Sequence, residues 1–89
     1  MALQLQIRGR VQGVGYRAAM VDKALELGVT GWVRNRRDGC VEAVVCGNED
    51  ALRAVVAWAH VGPSLASVSA VAVTGVEAAF DTFEWRPTE

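Results

Sequence analysis

The sequence is short of the residues from which most catalytic and metal centres are built. It has one histidine, His60, and two cysteines, Cys40 and Cys46. A single Cys pair with one distant histidine is no zinc ligand set. Both cysteines fall in one expected strand, where six steps of extended chain separate them by about 20 Å. A disulfide needs Cα atoms within about 7 Å, so two free thiols are expected, which fits a reducing compartment. Aromatic residues make up only 7% of the chain, too few to pave a sheet face for stacking single-stranded RNA. No apolar run approaches the roughly 20 residues of a membrane helix. Met1 to Arg8 alternates too cleanly, and is too polar, for a signal peptide. A cytoplasmic location with no membrane contact is therefore expected.

Charge of either sign is nearly balanced. The net charge is −1, which gives no bulk attraction for nucleic acid. The distribution is uneven: residues 1–40 carry seven basic and three acidic side chains (+4), residues 41–89 two basic and seven acidic (−5). The positive half holds the glycine-rich loop described below, as a local anion site would require. Hydrophobic content of 52% with 21% charged residues suits a folded globule. The length fits one domain, 1–89, with no repeat or linker.

Ala2 to Val11 alternates as a strand, with Leu3, Leu5, Ile7, Gly9 and Val11 on one face. Arg17 to Leu27 reads as a helix with Ala18, Val21, Ala24 and Leu25 as its apolar stripe, ended by Gly28. Val29 to Asn35 reads as a second strand. Arg36-Arg37-Asp38-Gly39 is a hairpin turn, and Cys40 to Cys46 is a third strand with Val41, Ala43 and Val45 on one face. Asn48 caps a second helix with Glu49 and Asp50 in its first turn and Leu52, Val55, Val56 and Ala59 as its stripe. Val61-Gly62-Pro63-Ser64 ends it. Ser67 to Val76 is a fourth strand, with Val71 and Val73 on one face, and Phe80 to Trp85 contributes a short edge strand. The order β-α-β-β-α-β predicts an α+β, ferredoxin-like sandwich: an antiparallel sheet with both helices on one face. That fold serves many functions.

Two stretches carry chemistry. The first is Gly9-Arg10-Val11-Gln12-Gly13-Val14-Gly15-Tyr16-Arg17. It lacks the Gly-Lys-Ser/Thr of a Walker loop and the GxGxxG of a dinucleotide loop. Arg17 stands in the first turn of a helix, where a cation costs about 0.3–1 kcal/mol. No Ser, Thr, Asp or Asn lies between Gly9 and Arg17 to cap that helix. Open amides, a helix N-terminus and a guanidinium fork together describe a phosphate socket. The plainer alternative is an ordinary glycine turn with Arg17 paired to a carboxylate. The second stretch is Gly31-Trp32-Val33-Arg34-Asn35-Arg36-Arg37-Asp38-Gly39-Cys40-Val41-Glu42. The amide of Asn35 offers a donor and an acceptor, enough to hold a water. Against this, Asn beside a hairpin is usually turn chemistry.

Together these stretches resemble the acylphosphatase family. Residues 9–17 match its signature loop, with Tyr16 where Phe is commoner. Gly31 to Asn35 and Asp38 to Glu42 match its second signature. Gly62-Pro63, Ala66 and Val68 match a weaker third block, and Glu77 to Glu89 falls outside all three. The resemblance implies metal-independent hydrolysis of the carboxyl-phosphate bond of acyl phosphates, with no cofactor. It implies that Arg17 holds the phosphate, that the backbone N–H groups of Gln12, Gly13, Val14, Gly15, Tyr16 and Arg17 line the cradle, and that Asn35 orients the attacking water. Inorganic phosphate is then both product and inhibitor. An acyl phosphate has a good leaving group, so positioning and charge stabilisation can carry the reaction without a strong base.

The alternative is a non-catalytic phosphate- or anion-binding regulatory module of the same fold. Binding alone has no need for a water-positioning amide, which speaks for the enzyme. No nucleic-acid partner is expected, and a monomer is. His60 is expected to complement a helix C-terminus, and Trp32, Trp58 and Trp85 to pack in or beside the core. Arg34, Arg36 and Arg37 read as a solvated turn and the two cysteines as inert thiols.

Overall fold

Alternation along the first segment sets the layering. In β1 (Ala2–Arg10) Leu5 and Ile7 are fully buried, while Arg8 and Arg10 are exposed. The computed structural model describes all residues from Met1 to Glu89. It continues with α1 (Tyr16–Leu27), β2 (Thr30–Asn35), β3 (Val41–Cys46), α2 (Glu49–Ala59), β4 (Ser67–Val76) and β5 (Phe83–Trp85). Boundaries of β1 to β4 and the start of α1 agree with the sequence reading to within one residue, while β5 begins at Phe83, three residues later than the expected Phe80.

The sheet order is β4-β1-β3-β2-β5. β1 lies antiparallel between β3 and β4, and β2 lies antiparallel to β3. Tyr16, Met20 and Ala24 from α1 and Leu52, Val55 and Ala59 from α2 join Leu5, Ile7, Val33, Val41, Ala43 and Val45 in one buried cluster. Both helices therefore cover the same sheet face, as a ferredoxin-like sandwich requires. The expected antiparallel sheet gains one parallel pairing: β5 runs beside β2 with Val33 opposite Trp85. The chain reverses once after β4 and reaches the far edge, where that direction is parallel to β2.

α1 is rotated from its expected stripe. Its buried row is Tyr16, Met20 and Ala24, spaced by four, while Leu25 is 67% exposed. The helix starts one residue early because the Tyr16 ring is drawn inward. It lies 5.3 Å from the Trp58 ring, and its hydroxyl donates to the Ala59 carbonyl at 2.7 Å. That bond also satisfies a carbonyl in the last turn of α2. Gly62 packs so tightly on this ring that a Cβ would sit 2.7 Å from Tyr16 Cε2. α2 follows its sequence closely: the Asn48 side chain accepts from the Ala51 N–H at 2.8 Å, and Glu49 and Asp50 occupy the first turn. His60 sits at its C-terminus with Nδ1 3.0 Å from the Val56 carbonyl.

The two cysteines are free. Cys40 is buried and burial raises its thiol above the ordinary range, so it is a poor nucleophile at neutral pH.

Candidate active site

The turn from β1 into α1 depends on glycine. Gly13 and Gly15 adopt φ of 73° and 79°, left-handed values that side-chain-bearing residues avoid. Val14, between them, is buried and anchors the loop to the core. Gly15 is the N-cap of α1, and no side chain caps the helix. Among turn, loop and cap hydrogen bonds, no N–H of residues 12–17 acts as donor; the first from this region is Ala19 N–H to the Gly15 carbonyl at 3.0 Å. These amides are available to a ligand, and the positive end of α1 lies behind them.

Arg17 adds a full charge. No acidic residue occupies the first turn of α1, and the guanidinium forms no salt bridge: those of this chain involve Lys23, Arg34, Arg36, Arg53 and Arg86. It is held instead by neutral groups. Nη1 donates to the Arg86 carbonyl at 3.0 Å, and Cζ lies 5.0 Å from the centroid of the Trp85 ring. A carbonyl and a π-face orient the fork without cancelling its charge. The carboxylate pairing that would have made this an ordinary turn is absent.

Asn35 ends β2. Its side-chain Oδ1 is buried and has no hydrogen-bond partner, the one such side-chain atom in the protein. Leaving an acceptor buried and unpaired costs about 1–3 kcal/mol, so an atom of this kind in a folded protein calls for an explanation. The turn itself is made without Asn35. Arg36 N–H donates to the Cys40 carbonyl at 2.8 Å, Gly39 N–H to the Arg36 carbonyl at 3.1 Å, and Asp38 Oδ1 accepts from Cys40 N–H at 3.0 Å. This last bond holds the Asp38 carboxyl below the usual carboxylate range.

Loop and strand meet at one cleft of about 220 Å³, lined by Val11, Gln12, Gly13, Gly15, Tyr16, Arg17, Ala18, Asn35 and Trp85. Apart from Val14, which is part of the buried core, every site residue expected from sequence is on that wall. The Tyr16 hydroxyl offers the cleft no acid or base, since it is spent on Ala59 and burial pushes its ionisation well above the ordinary range.

Three contributors escape a sequence reading. The Gln12 side chain donates through Nε2 to the Arg36 carbonyl at 2.7 Å and the Cys40 carbonyl at 2.9 Å, tying the loop to the hairpin that carries Asn35. A polar side chain set between the buried Val11 and Val14 was the available signal. Arg86 supplies the acceptor for Arg17, and Trp85, expected to pack near the core, is 55% exposed over it. Nothing local in Phe83-Glu84-Trp85-Arg86 points to a partner near the other end of the chain. The open sheet face offers no stacking platform: Trp32 is buried there with Arg34 and Arg86 guanidiniums each 4.8 Å from its ring.

Comparison with known proteins agrees with this geometry. A family model described as Acylphosphatase matches residues 3–84. The chain is similar to an acylphosphatase of Azoarcus sp. (strain BH72), 62% identical over 69 residues, spanning 78% of this chain and 70% of that one. An acylphosphatase of Thiobacillus denitrificans is 55% identical over 84 residues, 94% of each chain. The solved structure of an acylphosphatase from Coxiella burnetii superposes with a TM-score of 0.91 at 37% identity, covering 96% of this chain and 90% of that one.

Proposed function

This chain belongs to the acylphosphatase family of acyl-phosphate hydrolases, and from that premise we propose that the cleft between Gln12–Arg17 and Asn35 is where it cleaves the carboxyl-phosphate bond. The phosphoryl group sits on the main-chain amides of Gln12 to Arg17, with Arg17 donating to its non-bridging oxygens. The side-chain amide of Asn35 holds the attacking water and orients the water's lone pair toward phosphorus. The water oxygen–phosphorus bond forms as the phosphorus–acyl oxygen bond breaks, and the carboxylate departs with the bonding pair. A non-bridging phosphate oxygen takes the proton, since no side-chain base adjoins the water in this scheme.

One observation carries the reading: Asn35, whose Oδ1 has no partner within the protein, lines the same cleft as an unneutralised guanidinium. A binding module would use the cation and the amides, and would have no use for the orphaned oxygen. The fixed donors oppose charge building on the phosphoryl oxygens without reorganising, which is how positioned dipoles lower a barrier. The scheme uses no metal or cofactor.

Every group in the scheme comes from one chain, so the proposed active unit is a single-domain monomer. The two free thiols support a reducing, cytoplasmic setting, and no helix is long and apolar enough to cross a membrane. Turnover of acetyl phosphate in excess EDTA tests the function. Sustained hydrolysis with competitive inhibition by inorganic phosphate is expected. Loss of activity that Mg²⁺ restores, or purely noncompetitive inhibition, would overturn the scheme.

A further inference from the structure

Trp85 is the one aromatic among the large hydrophobic side chains left exposed, and it lines the cleft. The family match ends at residue 84, just before it. Its backbone is well fixed. β5 pairs with β2, and flanking bonds run from Gly31 N–H to the Thr82 carbonyl and from Arg86 N–H to the Val33 carbonyl, each 2.9 Å. Opposite Val33 in a parallel pairing, Trp85 projects toward the helix side of the sheet, where Arg17 lies. One ring face covers the Arg17 guanidinium at 5.0 Å; with 55% of the residue exposed, much of its remaining apolar surface is in contact with water. The other aromatic residue of the cleft, Tyr16, is almost wholly buried and cannot serve.

Taking the catalytic reading above as given, we infer that Trp85 is the acyl-group subsite of this chain, and that its indole surface is what discriminates planar aromatic from short aliphatic acyl groups here. With the phosphoryl group on Arg17 and the loop amides, the acyl substituent leaves the cradle beside Arg17, within reach of a ring that already touches that side chain. A benzoyl ring can lie against the exposed indole surface and remove apolar area from water on both partners. An acetyl methyl has almost no face to offer. Recognition here is by shape and apolar area, because no polar side chain of the cleft is left over for the acyl group: Gln12 is committed to two carbonyls, and Arg17 and Asn35 serve the phosphoryl group and the water.

The test is the ratio of kcat/KM for benzoyl phosphate to that for acetyl phosphate, measured for the parent protein, Trp85→Phe and Trp85→Leu, with the inhibition constant of inorganic phosphate determined for each. Aromatic contacts of this kind are worth about a three- to tenfold preference. Trp85→Leu is expected to lower the ratio by about that factor and Trp85→Phe to keep most of it. If residue 85 serves only to orient Arg17, both substrates and phosphate inhibition weaken together and the ratio stays constant, which overturns this inference and leaves the catalytic reading intact. A parent protein that hydrolyses neither compound overturns the catalytic reading, and the subsite with it.

Discussion

Arg17 and Arg86 lie 69 positions apart and are joined by a hydrogen bond of 3.0 Å, from the guanidinium of the first to the main-chain carbonyl of the second. The segment that provides this carbonyl also fixes the other side of the cleft. Arg86 N–H donates to the Val33 carbonyl at 2.9 Å, and Glu89 N–H donates to the Asn35 carbonyl at 3.0 Å. A short extension beyond β5 thus fastens both proposed catalytic residues.

Removing residues 86–89 is accordingly expected to lower kcat/KM for acetyl phosphate by tenfold or more, since small misplacements of reacting groups cost up to about 10²-fold. Arg86→Ala keeps the carbonyl and should stay close to the parent. Steady-state kinetics on both, with circular dichroism as the folding control, separate main chain from side chain. Equal damage in the two would assign the effect to the Arg86 guanidinium over Trp32.

The Gln12 bridge is the second such tie. Gln12→Ala deletes hydrogen bonds of 2.7 and 2.9 Å to the hairpin. At about 0.5–1.5 kcal/mol net for each, stability should fall by about 1–3 kcal/mol. For a domain of this size that lowers Tm by several degrees or more. Loop and Asn35 would no longer be held in register, so kcat should fall too. An unchanged melting curve would show that the bridge adds nothing.

Much of this site was legible because its determinants are local. Gly13 and Gly15 announce a turn, the absence of a capping side chain before Arg17 announces a bare helix end, and Asp38-Gly39 announces the hairpin that delivers Asn35. The element order followed from strand alternation and from Asn48 at the head of α2. What stayed hidden depends on the assembled fold. The rotation of α1 is set by the reach of Tyr16 to Ala59, a contact across 43 positions, and no local period encodes it. The edge strand is expected from the sequence, but its trimming to three residues and its parallel pairing with β2 have no local pattern to announce them. The roles of Trp85 and Arg86 exist only once β5 lies beside β2.

Tyr16 gives a prediction about pH. It is the only tyrosine, so phenolate absorbance reads it alone. Burial disfavours the phenolate and raises the folded-state value well above the ordinary one of about 10. The native state therefore holds this proton more tightly than the unfolded state. The associated stability is fully present below about pH 10 and is lost as pH rises toward the folded value. Phenolate should appear only together with the loss of far-ultraviolet dichroism. Ionisation near pH 10 in a still-folded protein would contradict the buried hydroxyl. Tyr16→Phe should cost about 0.5–1.5 kcal/mol through the lost bond to Ala59.

Arg17 and Asn35 should fail in different ways. Arg17 meets the phosphoryl group in the ground state and in the transition state, because its charge is useful in both. Charge-assisted hydrogen bonds are worth about 1.5–3 kcal/mol, so Arg17→Ala should weaken phosphate binding by about tenfold to 10²-fold and depress turnover as well. Arg17→Lys keeps the charge but loses the planar fork and part of the contact with Trp85, so only partial recovery is expected. Asn35 acts on the water, and its effect belongs to the transition state. Asn35→Ala should leave phosphate affinity nearly intact and lower kcat by about 10²-fold or more. It should also melt no lower than the parent by more than a few tenths of a kcal/mol, because the deleted acceptor is one that the fold leaves unpaired. Phosphate titration, kcat and thermal melting on the same preparations decide the matter. Normal turnover by Asn35→Ala, or loss of phosphate binding as severe as that of Arg17→Ala, would show that the water is not oriented by Asn35.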